Sequence, residues 1–70
     1  MIGYKNYFNI EDGDVIVNGE KRLVILSKEP LGNGKGRYVV KTLNGQRYSF
    51  DESLETLLPI ELILAPIPRS

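Results

Sequence analysis

The stretch that decides the fold is RYVVKTLNGQRYSF, residues 37–50. β-Branched and aromatic residues lie on both sides of Asn44-Gly45, and an Asn-Gly dipeptide is the strongest short signal for a hairpin turn. A second segment of this kind, VIVNGEKRLVILS at residues 15–27, is centred on Asn18-Gly19. The sequence therefore predicts an all-β chain built around two antiparallel hairpins.

The turn at Asn44-Gly45 sets the predicted register of the second hairpin. A two-residue turn would place Leu43 opposite Gln46 and Val39 opposite Phe50. The predicted buried face then carries Val39, Leu43, Tyr48 and Phe50. The predicted exposed face carries Tyr38, Val40, Thr42, Arg47 and Ser49.

The first hairpin has apolar residues on both of its predicted faces. One face carries Ile16, Leu23 and Ile25. The other carries Val15, Val17, Val24 and Leu26. A long bent strand inside a small barrel would bury both faces, and the alternative is a cover made by Tyr4, Tyr7 and Phe8, by another subunit or by a partner. A homodimer is therefore one of the predicted alternatives.

The remaining segments complete a single predicted domain over residues 1–70. Residues 28–36 contain three alternate glycines and a proline, which predicts a mobile, projecting loop. The DESLETLL segment at residues 51–58 predicts a short helix or 3₁₀ turn, because an aspartate cap precedes leucines at helical spacing. The predicted subdivisions are an N-terminal aromatic segment (1–12), a barrel (13–64, its last strand within 60–64) and a flexible, proline-containing tail (65–70).

Histidine and cysteine are both absent from the 70 residues. Their absence excludes thiol nucleophiles, Ser-His-Asp triads, imidazole acid–base chemistry and disulfides. The acids at residues 51–55 lie where a helix start favours negative charge, and those at residues 11–14 lack the ligand spacing of an EF-hand. We therefore expect no enzymatic activity, no cofactor and no metal. The lack of cysteines fits a reducing, cytoplasmic setting, and no signal peptide or membrane span is predicted.

The order of these segments resembles the SH3-like small β-barrel superfamily, which includes KOW and Tudor-type modules. The resemblance covers roughly residues 13–64 and rests on GDVIV at 13–17 and YSFDESL at 48–54. It implies a small barrel of about five antiparallel strands, with a short helix or 3₁₀ turn before the last strand. Because such modules bind proteins, nucleic acids or modified peptides, the resemblance implies a binding module without naming its ligand.

The charged residues balance to zero over the whole chain but are unevenly placed along it. Residues 21–47 hold seven cations and a single acid, whereas the acids dominate on both sides of that segment. The first interpretation is an accessory or regulatory protein, of bacterial or phage type, that docks on a larger protein partner through this basic segment. The alternative is a nucleic-acid module that contacts the RNA or DNA backbone. The predicted contact residues are Lys21, Arg22, Lys28, Lys35, Arg37, Tyr38 and Arg47.

Two motifs have both a structural and a functional interpretation. Residues 32–37, GNGKGR, are typical of a flexible connection but also of a loop whose amides and cations contact phosphate. The aromatic residues Tyr4, Tyr7 and Phe8 would either plug the core or form a stacking platform for a base or a peptide. The sequence leaves both choices open.

Overall fold

The computed structural model describes residues 1–62, which form β-strands, turns and loops without a helix. The strands are β1 (Ile2–Lys5), β2 (Val15–Asn18), β3 (Lys21–Pro30), β4 (Lys35–Thr42), β5 (Arg47–Ser53) and β6 (Leu58–Glu61). The predicted all-β class is therefore confirmed. The predicted tail at 65–70, and the end of the predicted last strand, lie outside the described residues.

All six strands pair antiparallel in one open sheet, with the order β1-β6-β2-β3-β4-β5. The five strands expected from the sequence correspond to β2 to β6. The additional strand, β1, lies in the predicted N-terminal segment and pairs with β6, from Ile2 opposite Glu61 to Lys5 opposite Leu58. Within residues 1–62, β1 and β5 are the two edges of the sheet.

The hydrophobic core lies on one face of the sheet. The buried side chains are Tyr7, Ile10, Ile16, Ile25, Tyr38, Val40, Leu58 and Ile60. Along β3, Ile25 pairs with Val40 but Ser27 pairs with Val39, so Leu26 is the extra residue of a β-bulge. A bulge bends and twists its strand, which lets the long β3 serve both halves of the sheet. The face that carries these residues is called the inner face below, and the opposite one the outer face.

The first hairpin turns one residue later than predicted. Asn18 pairs with Lys21, so Gly19 and Glu20 form the turn. Gly19 has a φ of 63° and Glu20 has a negative φ, which is the pattern of a type II′ turn. The pairing moves by two residues, so each side chain keeps its predicted face, and Ile16 lies opposite Leu23 beside the core.

The second hairpin has a three-residue loop, and the predicted two-residue turn is wrong. Thr42 N donates to Gln46 O at 2.8 Å, and Gly45 N donates to Thr42 O at 3.0 Å. Gly45 has a φ of 94°, while Asn44 has a negative φ that excludes a type I′ turn. Val39 therefore lies opposite Ser49 rather than opposite Phe50.

This one-residue change of register exchanges the two faces of β4, because successive strand residues point to opposite sides. Tyr38 and Val40 are buried with no exposed surface, whereas the prediction placed them outside. Leu43, predicted in the core, is 79% exposed in the turn. On β5 Tyr48 is 52% exposed and Phe50 packs against the core.

The predicted helix at residues 51–58 is also wrong. Asp51 and Glu52 are strand residues of β5, and a single turn follows in which Thr56 N donates to Ser53 O at 3.1 Å. The loop between β3 and β4 is shorter than predicted, because the strands extend to Pro30 and from Lys35 and leave only residues 31–34 between them. Of the three leucines of the predicted helix, Leu58 is buried at the start of β6 and Leu54 packs against the core, whereas Leu57 is exposed.

Candidate interaction surface

The outer face of β4 and β5 is the most basic surface that the strands build. Strand alternation places Lys35, Arg37 and Lys41 on this face of β4. Arg47 of β5 lies on the same face, directly opposite Lys41. Val39 and Ser49 lie between the two ends of the strands, so the cations are divided into two groups.

Arg37 is neutralised by its strand neighbours. Its Nε donates to Asp51 Oδ1 at 2.7 Å and its Nη2 to Asp51 Oδ2 at 3.1 Å, while Glu29 lies opposite it on β3. The hydrogen bonds to Asp51 raise the pKa of the Arg37 guanidinium, and those bonds lower the pKa of the Asp51 carboxyl. Arg37 is therefore engaged in an ion pair within the sheet.

Lys41 and Arg47 form a pair of like charges at the other end of the face. Directly opposed residues on antiparallel strands have Cβ atoms about 4.5–5.5 Å apart, and like charges in such a pair are destabilising. Both side chains are exposed, and neither makes an ion pair with any residue of the described part of the chain. This pair is the least compensated charge arrangement on the outer face.

Arg22 extends this group of cations on β3. It lies on the outer face two positions before Val24, which pairs with Lys41. Its Nε is paired with Glu61 Oε1 of β6, so it is partly neutralised. Arg22, Lys41 and Arg47 together are called the basic corner below.

A groove opens on the inner face next to the basic corner. It lies between the tip of the first hairpin and the tip of the second, and its volume is about 570 Å³. Its apolar floor is formed by Leu23, Val40, Tyr48 and Phe50, and its rim by the turn residues of both hairpins. Lys21, which was predicted as a contact residue, lies at this rim rather than on the outer face.

The other predicted contact residues are dispersed. Lys28 lies near the opposite end of β3, where its Nζ donates to the carbonyl of Tyr7 and stands 4.5 Å from the centroid of the Tyr7 ring. Lys35 is exposed at the start of β4, far along the strand from Lys41. Tyr38 cannot contact a partner with its side chain, because the ring is fully buried.

Tyr38 belongs to an aromatic row inside the protein. Its ring centroid lies 5.9 Å from that of Tyr7 and 5.3 Å from that of Phe50. Burial raises the pKa of the Tyr38 hydroxyl, and the hydroxyl has no hydrogen-bond partner within residues 1–62. Of the three N-terminal aromatics, Tyr7 therefore plugs the core, whereas Tyr4 and Phe8 remain exposed.

The described residues contain no group of three or more acidic side chains placed to hold a metal ion. Among residues 1–62 there is also no helix of the length and hydropathy needed to cross a membrane.

We compared the chain with known proteins. No family model, curated protein or solved structure gives a significant match. The resemblance to SH3-like barrels therefore stays an expectation from the sequence.

Sequence reasoning missed Lys41 as a site residue. The signal was present, because Arg37, Val39 and Lys41 alternate along one strand and must share a face. The predicted register assigned Val39 to the core and so placed both cations on the buried face as well. A face with two cations is better placed outside, and that choice would have paired Lys41 with Arg47 of β5.

Proposed function

We propose that this chain is a non-enzymatic binding module that docks on an acidic surface of a larger protein through the basic corner. The observation that carries the proposal is the directly opposed pair Lys41 and Arg47. Such a pair costs stability in the isolated protein, and a carboxylate placed between the two side chains would convert repulsion into two favourable contacts.

A protein partner fits the surrounding charges better than a long polyanion does. Glu29 and Asp51 lie on the same outer face as the basic corner, and Glu61 is paired with Arg22. Phosphates that continued along β4 would meet these carboxylates. A nucleic-acid backbone remains the alternative function, and Lys35 would then add a further cation at the far end of the strand.

We also propose that the fold is a small SH3-like barrel. The order β6-β2-β3-β4-β5 supports it, because four consecutive strands form a meander and the last strand pairs with the first of them. The bend at the Leu26 bulge supports it as well, since a small barrel needs one long strand shared by both halves. β1 would then be an addition at the edge of the barrel.

The docking proposal is tested by amide chemical-shift titration of the labelled protein with a glutamate-rich peptide and, separately, with a mixed single-stranded oligonucleotide, each at low and moderate salt. We expect the peptide to shift the amides around Lys41 and Arg47. The Lys41→Glu variant should lose this response, and Lys35→Glu should retain it, although both substitutions change the net charge equally. Equal losses in the two variants would contradict a site at the basic corner.

The oligonucleotide distinguishes the two functions. Neutralising several phosphates would make the affinity fall steeply as salt rises. A tighter response to the oligonucleotide than to the peptide, spread from Lys35 to Arg47, would favour the nucleic-acid function instead.

A further inference from the structure

The edge of β5 offers unpaired hydrogen-bonding groups of the main chain. Thr42 and Gln46 are hydrogen-bonded across the second hairpin, and hydrogen-bonded and non-hydrogen-bonded pairs alternate along antiparallel strands. The N–H and C=O groups of Arg47, Ser49 and Asp51 therefore point away from β4. No other segment within residues 1–62 hydrogen-bonds to them.

This edge lacks the features that usually protect a strand from pairing. Natural edge strands are often blocked by prolines, by bulges or by their shortness. β5 is seven residues long, contains no proline and pairs with β4 without a bulge. The other edge strand, β1, is only four residues long. Of the two sheet edges within residues 1–62, β5 is therefore the one suited to receive another strand.

The outer row of this edge is complementary to itself in charge. Strand alternation places Arg47, Ser49 and Asp51 on the outer face, with the cation and the anion symmetric about the serine. Antiparallel pairing of two copies about a twofold axis at Ser49 would set Arg47 of each copy directly opposite Asp51 of the other. All three residues direct their main-chain groups outward, so the same register forms a hydrogen-bonded pair at each of them.

Other registers lose this match. A shift of one copy by two residues would set Arg47 or Asp51 opposite Ser49 and remove both ion pairs. A shift by four residues would set Arg47 opposite Arg47 or Asp51 opposite Asp51, and directly opposed like charges are destabilising. A shift by one residue would place the outer row of one copy beside the inner row of the other. The charges therefore select one register.

The inner row of the edge also matches itself. In this register Tyr48 of each copy would lie opposite Phe50 of the other. These are non-hydrogen-bonded pairs, in which side chains approach most closely, and cross-strand aromatic pairs stabilise a sheet. Tyr48 is 52% exposed in the single chain, and both residues line the groove. The pairing would cover these rings and bring the two grooves side by side across the axis.

The cations behind the edge do not cancel the attraction. Asp51 accepts two hydrogen bonds from Arg37, and because a carboxylate has about four acceptor sites it can also accept from Arg47 of the other copy. That Arg47 would lie one strand spacing, about 4.8 Å, from Asp51, and about 10 Å from Arg37. The same carboxylate would lie beside the repulsive Lys41–Arg47 pair. Pairing therefore gives Arg47 a counter-charge that no residue of 1–62 supplies.

We propose that two copies of this chain associate through their β5 edges, antiparallel about a twofold axis at Ser49, to form one continuous sheet. A second copy is favoured over an unrelated strand because both rows of the edge are complementary to themselves, as an isologous interface requires. The sequence suggests a second copy only as a cover of the first hairpin, whereas this interface uses β5. The inference goes beyond the docking function and does not depend on it, and the dimer would carry two basic corners on one side of the sheet.

The first test uses the unmodified chain without any partner. Sedimentation equilibrium from about 10 μM to about 1 mM covers the affinities expected of a small interface. We expect the mass to rise from the 7.9 kDa of one chain towards twice that value, and amide exchange at Ser49 to slow as the concentration rises. Exchange at Tyr48, whose N–H is directed at β4, is the internal control. The mass of a single chain at every concentration would overturn the proposal.

Two charge reversals test the register. Arg47→Asp places an aspartate opposite Asp51 of the other copy, and Asp51→Arg places an arginine opposite Arg47. We expect each variant alone to associate at least about tenfold more weakly, and an equimolar mixture to associate again because both of its cross-strand pairs are Arg–Asp. Lys41→Asp, which changes the net charge as Arg47→Asp does, should still form the dimer. A mixture that associates no better than its separate, folded components would overturn the pairing.

Cysteine cross-linking locates the axis and decides the matter if Asp51→Arg does not fold. The chain has no cysteine of its own. Hydrogen-bonded pairs hold their Cα atoms about 5.5 Å apart, within the range of about 4.4–6.8 Å found in disulfides, so Ser49→Cys should cross-link under mild oxidation by diamide.

Ser53→Cys is the matched control for the cross-link. Ser53 is exposed on the same row of β5 but lies four positions from the axis (53 − 49), so its two copies would be about 26 Å apart. We expect this variant to stay largely uncross-linked. Equal yields of dimer from the two cysteine variants would overturn the interface at β5, even where the mass has shown a dimer.

Discussion

The packing of Tyr7 against Gly36 supports a quantitative prediction about the fold. Gly36 is buried in β4, and a Cβ atom at this position would collide with Cδ1 and Cε1 of the Tyr7 ring and lie 3.2 Å from Leu54 Cδ2. The ring cannot move freely, because Tyr7 N donates to Leu54 O at 3.3 Å and the ring also packs against Tyr38. Gly36→Ala therefore overpacks the core where the N-terminal segment closes it.

Overpacking of a well-packed core costs about 1–3 kcal/mol. A strand interior favours alanine over glycine by about 0.5–1 kcal/mol, which offsets part of that cost. We expect Gly36→Ala to lower the free energy of unfolding by about 1–2 kcal/mol. For a domain of this size that change lowers the melting temperature by roughly 4–15 °C.

The assay is urea unfolding, followed by far-UV circular dichroism, with Gly3→Ala as the matched control. Gly3 is also a strand glycine, but its added Cβ meets only the flexible Leu62 side chain, with Cδ1 nearest at 2.7 Å. We expect Gly3→Ala to change the midpoint little. In a Tyr7→Leu background the Gly36→Ala substitution should cost less, because the rigid ring is gone. An unchanged midpoint for Gly36→Ala, or full additivity with Tyr7→Leu, would refute this account of the closure.

Three further predictions concern single groups. Tyr38→Phe should leave stability unchanged or raise it by up to about 1 kcal/mol, because the hydroxyl is buried without a partner; a loss above about 1 kcal/mol in thermal unfolding would reveal a partner. Gly45→Ala should lower the free energy of unfolding by about 1–2 kcal/mol in denaturant unfolding because the φ of Gly45 is 94°. Gly45→Asn should lower it less, because asparagine adopts positive φ more readily than alanine. Equal losses for the two variants would contradict a positive φ at this turn position. The hydrogen bond from Arg37 lowers the pKa of Asp51 in the folded protein, so the pair stabilises the fold fully above the unfolded pKa of about 3.9 and loses this effect as pH falls through the folded pKa. Asp51→Asn should therefore reduce the loss of stability at acidic pH in pH-dependent unfolding. An unchanged loss of stability at acidic pH would contradict the Arg37–Asp51 pairing.

The all-β class and the two hairpins could be predicted from the sequence because the Asn-Gly signals and the β-branched runs are local. The turn type could not. Whether Asn44 adopts a positive φ depends on local competition, and here Thr42 Oγ1 accepts a hydrogen bond from Gln46 N at 3.0 Å and also contacts the Asn44 side chain. These contacts favour the three-residue loop, and a register error of one residue then exchanged Tyr38 with Val39 at the core.

The helix prediction failed for a related reason. An aspartate followed by leucines at helical spacing is a local signal, but Asp51 lies opposite Arg37 on β4 and completes a cross-strand ion pair. Sheet pairing therefore extended β5 through the predicted helix start. The predicted contact residues could not be grouped correctly for the same reason, because sheet pairing and not sequence distance decides which of them are neighbours. Lys28 and Lys41 belong to one basic segment of the sequence but lie far apart on opposite faces of the sheet.

The turn that buries Tyr38 also creates the basic corner, so fold and proposed function depend on one register. In the observed pairing Lys41 lies opposite Arg47, and in the predicted pairing it would have lain opposite Tyr48. Lys41→Glu therefore replaces a repulsive cross-strand pair with an attractive one and should raise the free energy of unfolding by ~0.2 to 1 kcal/mol while it weakens binding to acidic peptides. A variant that loses stability as well as binding would show that the two cations do not repel each other in the free protein. A gain in stability together with a loss of binding would show that this pair supports binding at the expense of the fold.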